Sequence, residues 1–221
     1  MCGRYALTLP PEAVRRYFGY QDRPNFPPRY NIAPTQPIAL MRLENGARRF
    51  ALARWGFLPG FVKDPKDFPL IINARAEGIA EKPSFRAAIR RRRCIVLADG
   101  FYEWRRVGKA KQPFLIRRPQ RTPLAFAGLW ETWNAADGSE VDTACIITCG
   151  PNATMAAIHD RMPVILDPGV FGLWLDPHAE GRDILPLMRP TDDAALELVP
   201  VSTAVNAVKN EGPEVQQPLG S

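Results

Sequence analysis

Residues 94–108 read CIVLADGFYEWRRVG, and the way this stretch divides decides the fold. Cys94–Ala98 is a short apolar run that suits a buried strand, and Asp99-Gly100 is a turn dipeptide. A second strand opens at Phe101 and carries Glu103 between the rings of Tyr102 and Trp104. Three more strand-like runs follow at hairpin-like spacing: QPFLIRR at 112–118, PLAFAGLWETW at 123–133 and DTACIITCG at 142–150.

Outward from this block the same grammar holds. Residues 38–57 split into two strands around Asn45-Gly46, a dipeptide that accepts the positive φ angles of a two-residue hairpin turn. LIINARAE at 70–77 starts as a buried strand and then turns polar. TLPPEAVRRYFG at 8–19 predicts a short helix, with Thr8 as cap, Pro10 and Pro11 in the first turn and Gly19 at the end. SFRAAIRRRR at 84–93 predicts a second, with Ser84 as cap, and NATMAAIHD at 152–160 a third. A further helix opens behind Asp167, MPVIL at 162–166 reads as a strand, and residues 197–214 read as a strand and a loop. The 23 prolines, spread along the chain, favour short elements. The expectation is one α+β domain over residues 1–221, with a predominantly antiparallel, barrel-like β core flanked by short helices. The tail after about residue 214 is expected to be loosely ordered.

Composition narrows the function classes. No stretch approaches the roughly 20 apolar residues of a membrane span, and no charged-then-apolar leader stands at the N-terminus, so a cytoplasmic protein that does not engage membranes is expected. The four cysteines (Cys2, Cys94, Cys145, Cys149) form no C-x-x-C pair, and His159 and His178 are the only histidines, so a metal site is not supported. Charge is unevenly spread. Residues 1–121 hold 25 Lys and Arg against 9 Asp and Glu, whereas residues 122–221 hold 4 against 14. A basic half suits an anionic partner such as nucleic acid, or it reflects an arginine-rich composition.

Four positions carry candidate chemistry. Cys2 is the one cysteine outside an apolar run. Loss of Met1, expected before a small second residue, would leave Cys2 with an α-amine of pKa about 7.7–8.0 beside a thiol of about 8.5. Such an aminothiol condenses with an aldehyde to a Schiff base and closes through sulfur to a thiazolidine. It also suits attack on an amide as an N-terminal nucleophile; alternatively Cys2 is an incidental second residue. Glu103, flanked by aromatic rings, suits a desolvated acid–base group, or it points outward beside Arg105. His159 suits proton transfer, or it is a capped structural histidine. Asn73 and Arg75 lie two apart on one strand face and suit an oxyanion or phosphate, or Arg75 pairs with Glu77. Arg90–Arg93 reads as a solvated helix end.

These stretches also occur together in one order. MCGRYA, RYNIAPTQP, RWGFLP, IINARAE, LADGFYEW, IITC, IHDRMPVIL and VNAVKNEGPE resemble the SOS-response-associated peptidase (SRAP) family from residue 2 to about residue 214. The resemblance implies the SRAP fold and a sensor of abasic sites in single-stranded DNA, bound to the nucleoid when it engages DNA; a monomer is the default expectation. It implies a covalent thiazolidine crosslink through Cys2 that shields the lesion, with Asn73, Glu103 and His159 as the other catalytic residues. Glu103 would open the closed sugar, His159 would shuttle a proton, and Asn73 would hydrogen-bond the sugar oxygen. Arg4, Arg75, Arg161 and Thr148 would contact phosphates, and Phe61 would stack on a base. No metal or cofactor is implied. Two other readings stay open: a cysteine peptidase or amidohydrolase with an N-terminal nucleophile, and a module that binds single-stranded DNA without a covalent bond.

Overall fold

The computed structural model describes residues 2–219, Val107 by its backbone alone. Among these residues twelve strands run in chain order as β1 (Tyr5–Leu7), β2 (Arg29–Ile32), β3 (Pro37–Glu44), β4 (Ala47–Trp55), β5 (Asn73–Arg75), β6 (Arg93–Ala98), β7 (Gly100–Val107), β8 (Ala110–Arg117), β9 (Leu124–Asn134), β10 (Glu140–Cys149), β11 (Met162–Pro163) and β12 (Glu197–Pro200). The α-helices are short: α1 (Pro11–Phe18), α2 (Arg86–Arg91), α3 (Ala153–Ala156), α4 (Phe171–Leu175) and α5 (Gly181–Ile184).

Strands β10, β4, β3, β6 and β9 bond in that order, and β9 returns to β10, so the sheet closes on itself as a barrel. Of these ring pairings only β10 with β4 is parallel. A second, antiparallel sheet runs β12-β8-β7-β1-β2. The sheets meet through aromatic side chains: Tyr5 packs edge-on against Trp55 and Phe126, with ring centroids 5.3 and 6.0 Å apart, and Phe101 meets Phe126 at 5.8 Å. The sheets thus share one continuous core that needs no long helix.

The Asn45-Gly46 turn is built as its sequence demands, with φ of 50° and 76°. The stretch 94–108 behaves differently. It divides at Asp99, yet β6 and β7 are not partners: β6 belongs to the barrel and β7 to the second sheet. Asp99 is the single residue between them, and its Oδ2 accepts the Thr8 N–H, the Thr8 hydroxyl at 2.9 Å and the Leu9 N–H at 2.8 Å. A Cβ on Gly100 would lie 2.8 Å from Leu115 Cδ1, so a larger residue at the corner would require the buried Leu115 side chain to shift. The link from β8 to β9 also changes sheets; β7–β8 and β9–β10 are the true hairpins of the block.

Other expectations change for local reasons. Thr8 does not cap α1, because the N-cap position falls two residues later at Pro10, and the Thr8 hydroxyl donates to Asp99 instead; the helix ends at Gly19 with φ of 71°. Ser84 does not cap α2, whose N-cap position is Phe85. The strand in 70–77 begins only at Asn73, and Leu70 is half exposed. The arginine run is not simply a solvated helix end. Arg93 opens β6 and is buried, donating to the carbonyls of Ile89, Arg90, Trp174 and Asp176. The C-terminal segment packs as far as Leu219: Val215 is buried, Gln216 donates to the Tyr102 hydroxyl at 3.1 Å, and the Leu219 N–H reaches the Pro200 carbonyl.

The charge asymmetry is neutralised in good part within the fold. Arg29–Glu211, Arg42–Asp142, Arg92–Glu131, Arg117–Glu197 and Arg118–Asp167 each join the basic half to the acidic half.

Candidate active site

The far end of β10 gathers the site. Ile146–Thr148 pair in parallel with Asn73–Arg75 on one side, and Thr148 and Cys149 pair with Pro163 and Met162 on the other. Asn73 and His159, far apart in sequence, are thus set on either flank of one strand. The N-terminal strand enters from the second sheet. Tyr5 lies opposite Phe101, and the Tyr102 N–H donates to the Arg4 carbonyl at 2.9 Å. Continued one step, this register sets Gly3 opposite Glu103.

Cys2 is fully buried, and its carbonyl accepts a 2.9 Å hydrogen bond from Asn73 Nδ2. That bond fixes the amide orientation, so the other atom, buried Asn73 Oδ1, is an acceptor without a donor among the described residues. Burial pushes the Cys2 thiol up, and the Glu103 charge adds to the shift, so the two groups sense each other. The thiol is held protonated at neutral pH. The expected loss of Met1 lies outside the described residues.

Glu103 is 4% exposed, and burial pushes its carboxyl up to about 7. It is therefore about half protonated at neutral pH and able both to give and to take a proton. With His159 it lines an open cleft of about 560 Å³, completed by Trp104, Arg106, Lys111 and Asn206. His159 Nδ1 accepts the backbone N–H of Arg161 at 3.0 Å, and Asp160 Oδ1 lies 2.9 Å from the same nitrogen. The two contacts need different protonation states, because the amide can only donate. Burial lowers the His159 pKa, and the Asp160 side chain is largely in water, so the neutral ring with its proton on Nε2 prevails.

The basic residues read from the sequence fall into two kinds. Arg4 is turned into the fold, its Nη1 donating to Asn31 Oδ1 and the Val205 carbonyl at 2.9 Å each. Arg161 takes Glu77 in a bidentate pair at 2.8 and 2.9 Å and donates to the buried Thr148 carbonyl at 2.6 Å and its hydroxyl at 3.3 Å. A phosphate at Arg161 would have to compete with Glu77. The alternative pairing of Arg75 with Glu77 is not formed, and Arg75 is exposed with no ion pair among the described residues. Phe61 is 60% exposed and edge-on to Phe68, and it does not line the cleft. Trp104, Arg106, Lys111 and Asn206 went unread in the sequence as site residues. The faint signal for the cations was the basic run from Arg105 to Lys111, which resembles any solvated hairpin.

Comparison with known proteins gives this arrangement its setting. The chain is similar to the abasic site processing protein YoqW of Bacillus subtilis, at 40% identity over 97% of this chain and 98% of that one. It is similar to the abasic site processing protein YedK of Escherichia coli, at 32% identity over 99% and 100% of the two chains. A crystal structure of a protein from Bacteroides thetaiotaomicron superposes with a TM-score of 0.89 at 26% identity, covering 99% of this chain and all of that one. The model of the SOS response associated peptidase (SRAP) family matches residues 1–208. With the barrel, the second sheet and the cleft between Glu103 and His159 in view, the chain belongs to the SRAP family.

Proposed function

We propose that the chain captures abasic sites in single-stranded DNA through the α-amine and thiol of Cys2 once Met1 is removed. The carrying observation is the convergence on Cys2 of Asn73, hydrogen-bonded to its carbonyl, and Glu103, a buried carboxyl titrating at about 7 whose charge the thiol feels. The names of the relatives, abasic site processing proteins, supply the substrate.

The chemistry runs without a redox partner. The abasic sugar is mostly a closed hemiacetal. Glu103 takes the proton of the anomeric hydroxyl and returns one to the ring oxygen, so the C1′–O4′ bond breaks and the aldehyde appears. The neutral Cys2 amine attacks C1′. The oxygen leaves as water, helped by the His159 Nε2 proton, and an imine forms. The thiol then adds to C1′, its proton ends on nitrogen, and the thiazolidine closes. One C–N bond and one C–S bond form, and one water departs. Asn73 Oδ1 accepts a hydrogen bond from the amine or from a sugar hydroxyl. A buried, protonated thiol suits this order, since it acts last and brings its own proton.

The test is a denaturing gel with an abasic single strand. Native protein should give a slow-migrating adduct, and Cys2→Ala should give none. An equal adduct from Cys2→Ala would overturn the assignment. Turnover of a peptide without any adduct would point instead to an N-terminal-nucleophile hydrolase.

A further inference from the structure

We infer that Arg106 and Lys111 form a phosphodiester-binding subsite on the outer wall of the cleft, holding the DNA backbone beside the lesion, with the indole of Trp104 as its floor. The inference rests on the reading above that this cleft receives DNA.

The two cations stand directly opposite each other in the β7–β8 ladder. Like charges at such a position destabilise an antiparallel pair, and the hairpin does not need them: Gly108, with φ of 60°, makes the turn. Both side chains are exposed, and neither joins an ion pair among the described residues. Arg29, Arg42, Arg92, Arg117 and Arg118 have carboxylate partners and other cations of the basic half, Arg75 among them, do not; what singles out Arg106 and Lys111 is that they face each other on the wall of the cleft. A locally unfavourable pair at the mouth of a cleft is resolved when an anion lies between the two charges.

The rest of the wall fits a nucleic-acid strand. Strand periodicity puts Trp104 on the same face as Arg106, and all of these groups line the cleft that holds Glu103 and His159. The Trp104 indole is pinned, its Nε1 donating to Asn206 Oδ1 at 2.7 Å. A fixed aromatic face beside unpaired cations is the composition of a single-strand groove, where bases stack and phosphates meet charge. A small free anion would satisfy the cations but would leave the indole without a role.

The subsite is tested by fluorescence anisotropy with a single-stranded oligonucleotide carrying a tetrahydrofuran abasic analogue, which has no aldehyde and cannot be captured. Dissociation constants are measured from 0.05 to 0.3 M salt for the wild type, the double variant Arg106→Gln/Lys111→Gln, Arg106→Lys and Lys109→Gln. Each lost single-strand phosphate contact lowers the slope of log affinity against log salt by about 0.7, so the double variant should lose about 1.4. Extrapolated from a common value at 1 M salt, that is about 25-fold weaker binding at 0.1 M. Arg106→Lys should keep the slope. Lys109→Gln removes a charge from the same hairpin but outside the cleft, and should change the slope far less. The double variant should melt no lower than the wild type, because it relieves the opposed charges. An unchanged slope in the double variant, or an equal loss from Lys109→Gln, would overturn the subsite. Capture of a genuine abasic strand is measured separately. Its failure in the wild type would sink the proposed chemistry while the binding comparison still decides the subsite.

Discussion

Asp99 and Glu103 are carboxylates four residues apart in one stretch of chain, and they do opposite work. Both are buried, 9% and 4% exposed, and burial raises the pKa of both. Asp99 gathers three donors from Thr8 and Leu9 on one oxygen, and these oppose the shift and tie β1 to the corner between the two sheets. Glu103 faces the cleft it shares with His159, and its carboxyl reaches about 7. Burial alone does not mark a catalytic group. What separates the two is their setting: three donors of Thr8 and Leu9 gather on one Asp99 oxygen, whereas Glu103, which also takes the Trp104 N–H, faces an open cleft and the N-terminal cysteine.

The sharpest way to break this comparison is to remove each carboxylate in turn. Glu103→Gln should slow capture of closed-ring abasic sites by about 10²–10⁴-fold, the usual weight of general acid–base catalysis. A pre-opened aldehyde analogue should suffer less; single-turnover rates on the two substrates check it, and equal slowing would remove the ring-opening role. Asp99→Ala should act on the fold instead. It leaves three part-buried donors of Thr8 and Leu9 without their acceptor and should cost about 1–3 kcal/mol of unfolding free energy in denaturant titration.

The pH dependence of stability sharpens the contrast. The Glu103 pKa is about 7 when folded, against about 4.5 for a glutamate in water. The folded state therefore binds more protons between these values, and stability falls as pH rises through that window and levels off above it. The full effect is on the order of 3 kcal/mol. Glu103→Gln should flatten the curve between pH 5 and 8 and make the protein more stable than wild type at pH 8, read from denaturation midpoints. The smallest effect belongs to Asn73→Ala. It removes one hydrogen bond to the Cys2 carbonyl, worth about 1 kcal/mol, and should slow capture about fivefold. A pH–rate profile of unchanged shape would separate this hydrogen-bonding role from proton transfer.

Much of the local structure was legible in the sequence because local physics decides it. Asn45-Gly46 takes two positive φ angles and Gly19 ends α1, whatever the rest of the chain does. The sheet changes at Asp99 and after Arg117 were not legible: a turn dipeptide between two apolar runs looks the same whether the strands pair or part. The same limit governs the site. Cys2, Asn73, Glu103 and His159 were readable as residue types in an ordered set of motifs. That Arg161 rather than Arg75 takes Glu77, that Asn206 reaches Trp104, and that Arg106 opposes Lys111 depends on register and on contacts between distant segments. A charged run in a sequence does not say which of its members the fold will neutralise: Arg93 is buried among carbonyls, while Arg106 is left facing the cleft.

The central claim is chemical, and the intact mass of the adduct tests it most directly. Protein incubated with an abasic single strand should give one species whose mass is that of the chain without Met1, plus the DNA, minus one water, and Cys2→Ala should give no such species. An adduct that retains Met1, or one that forms equally with Cys2→Ala, would contradict it.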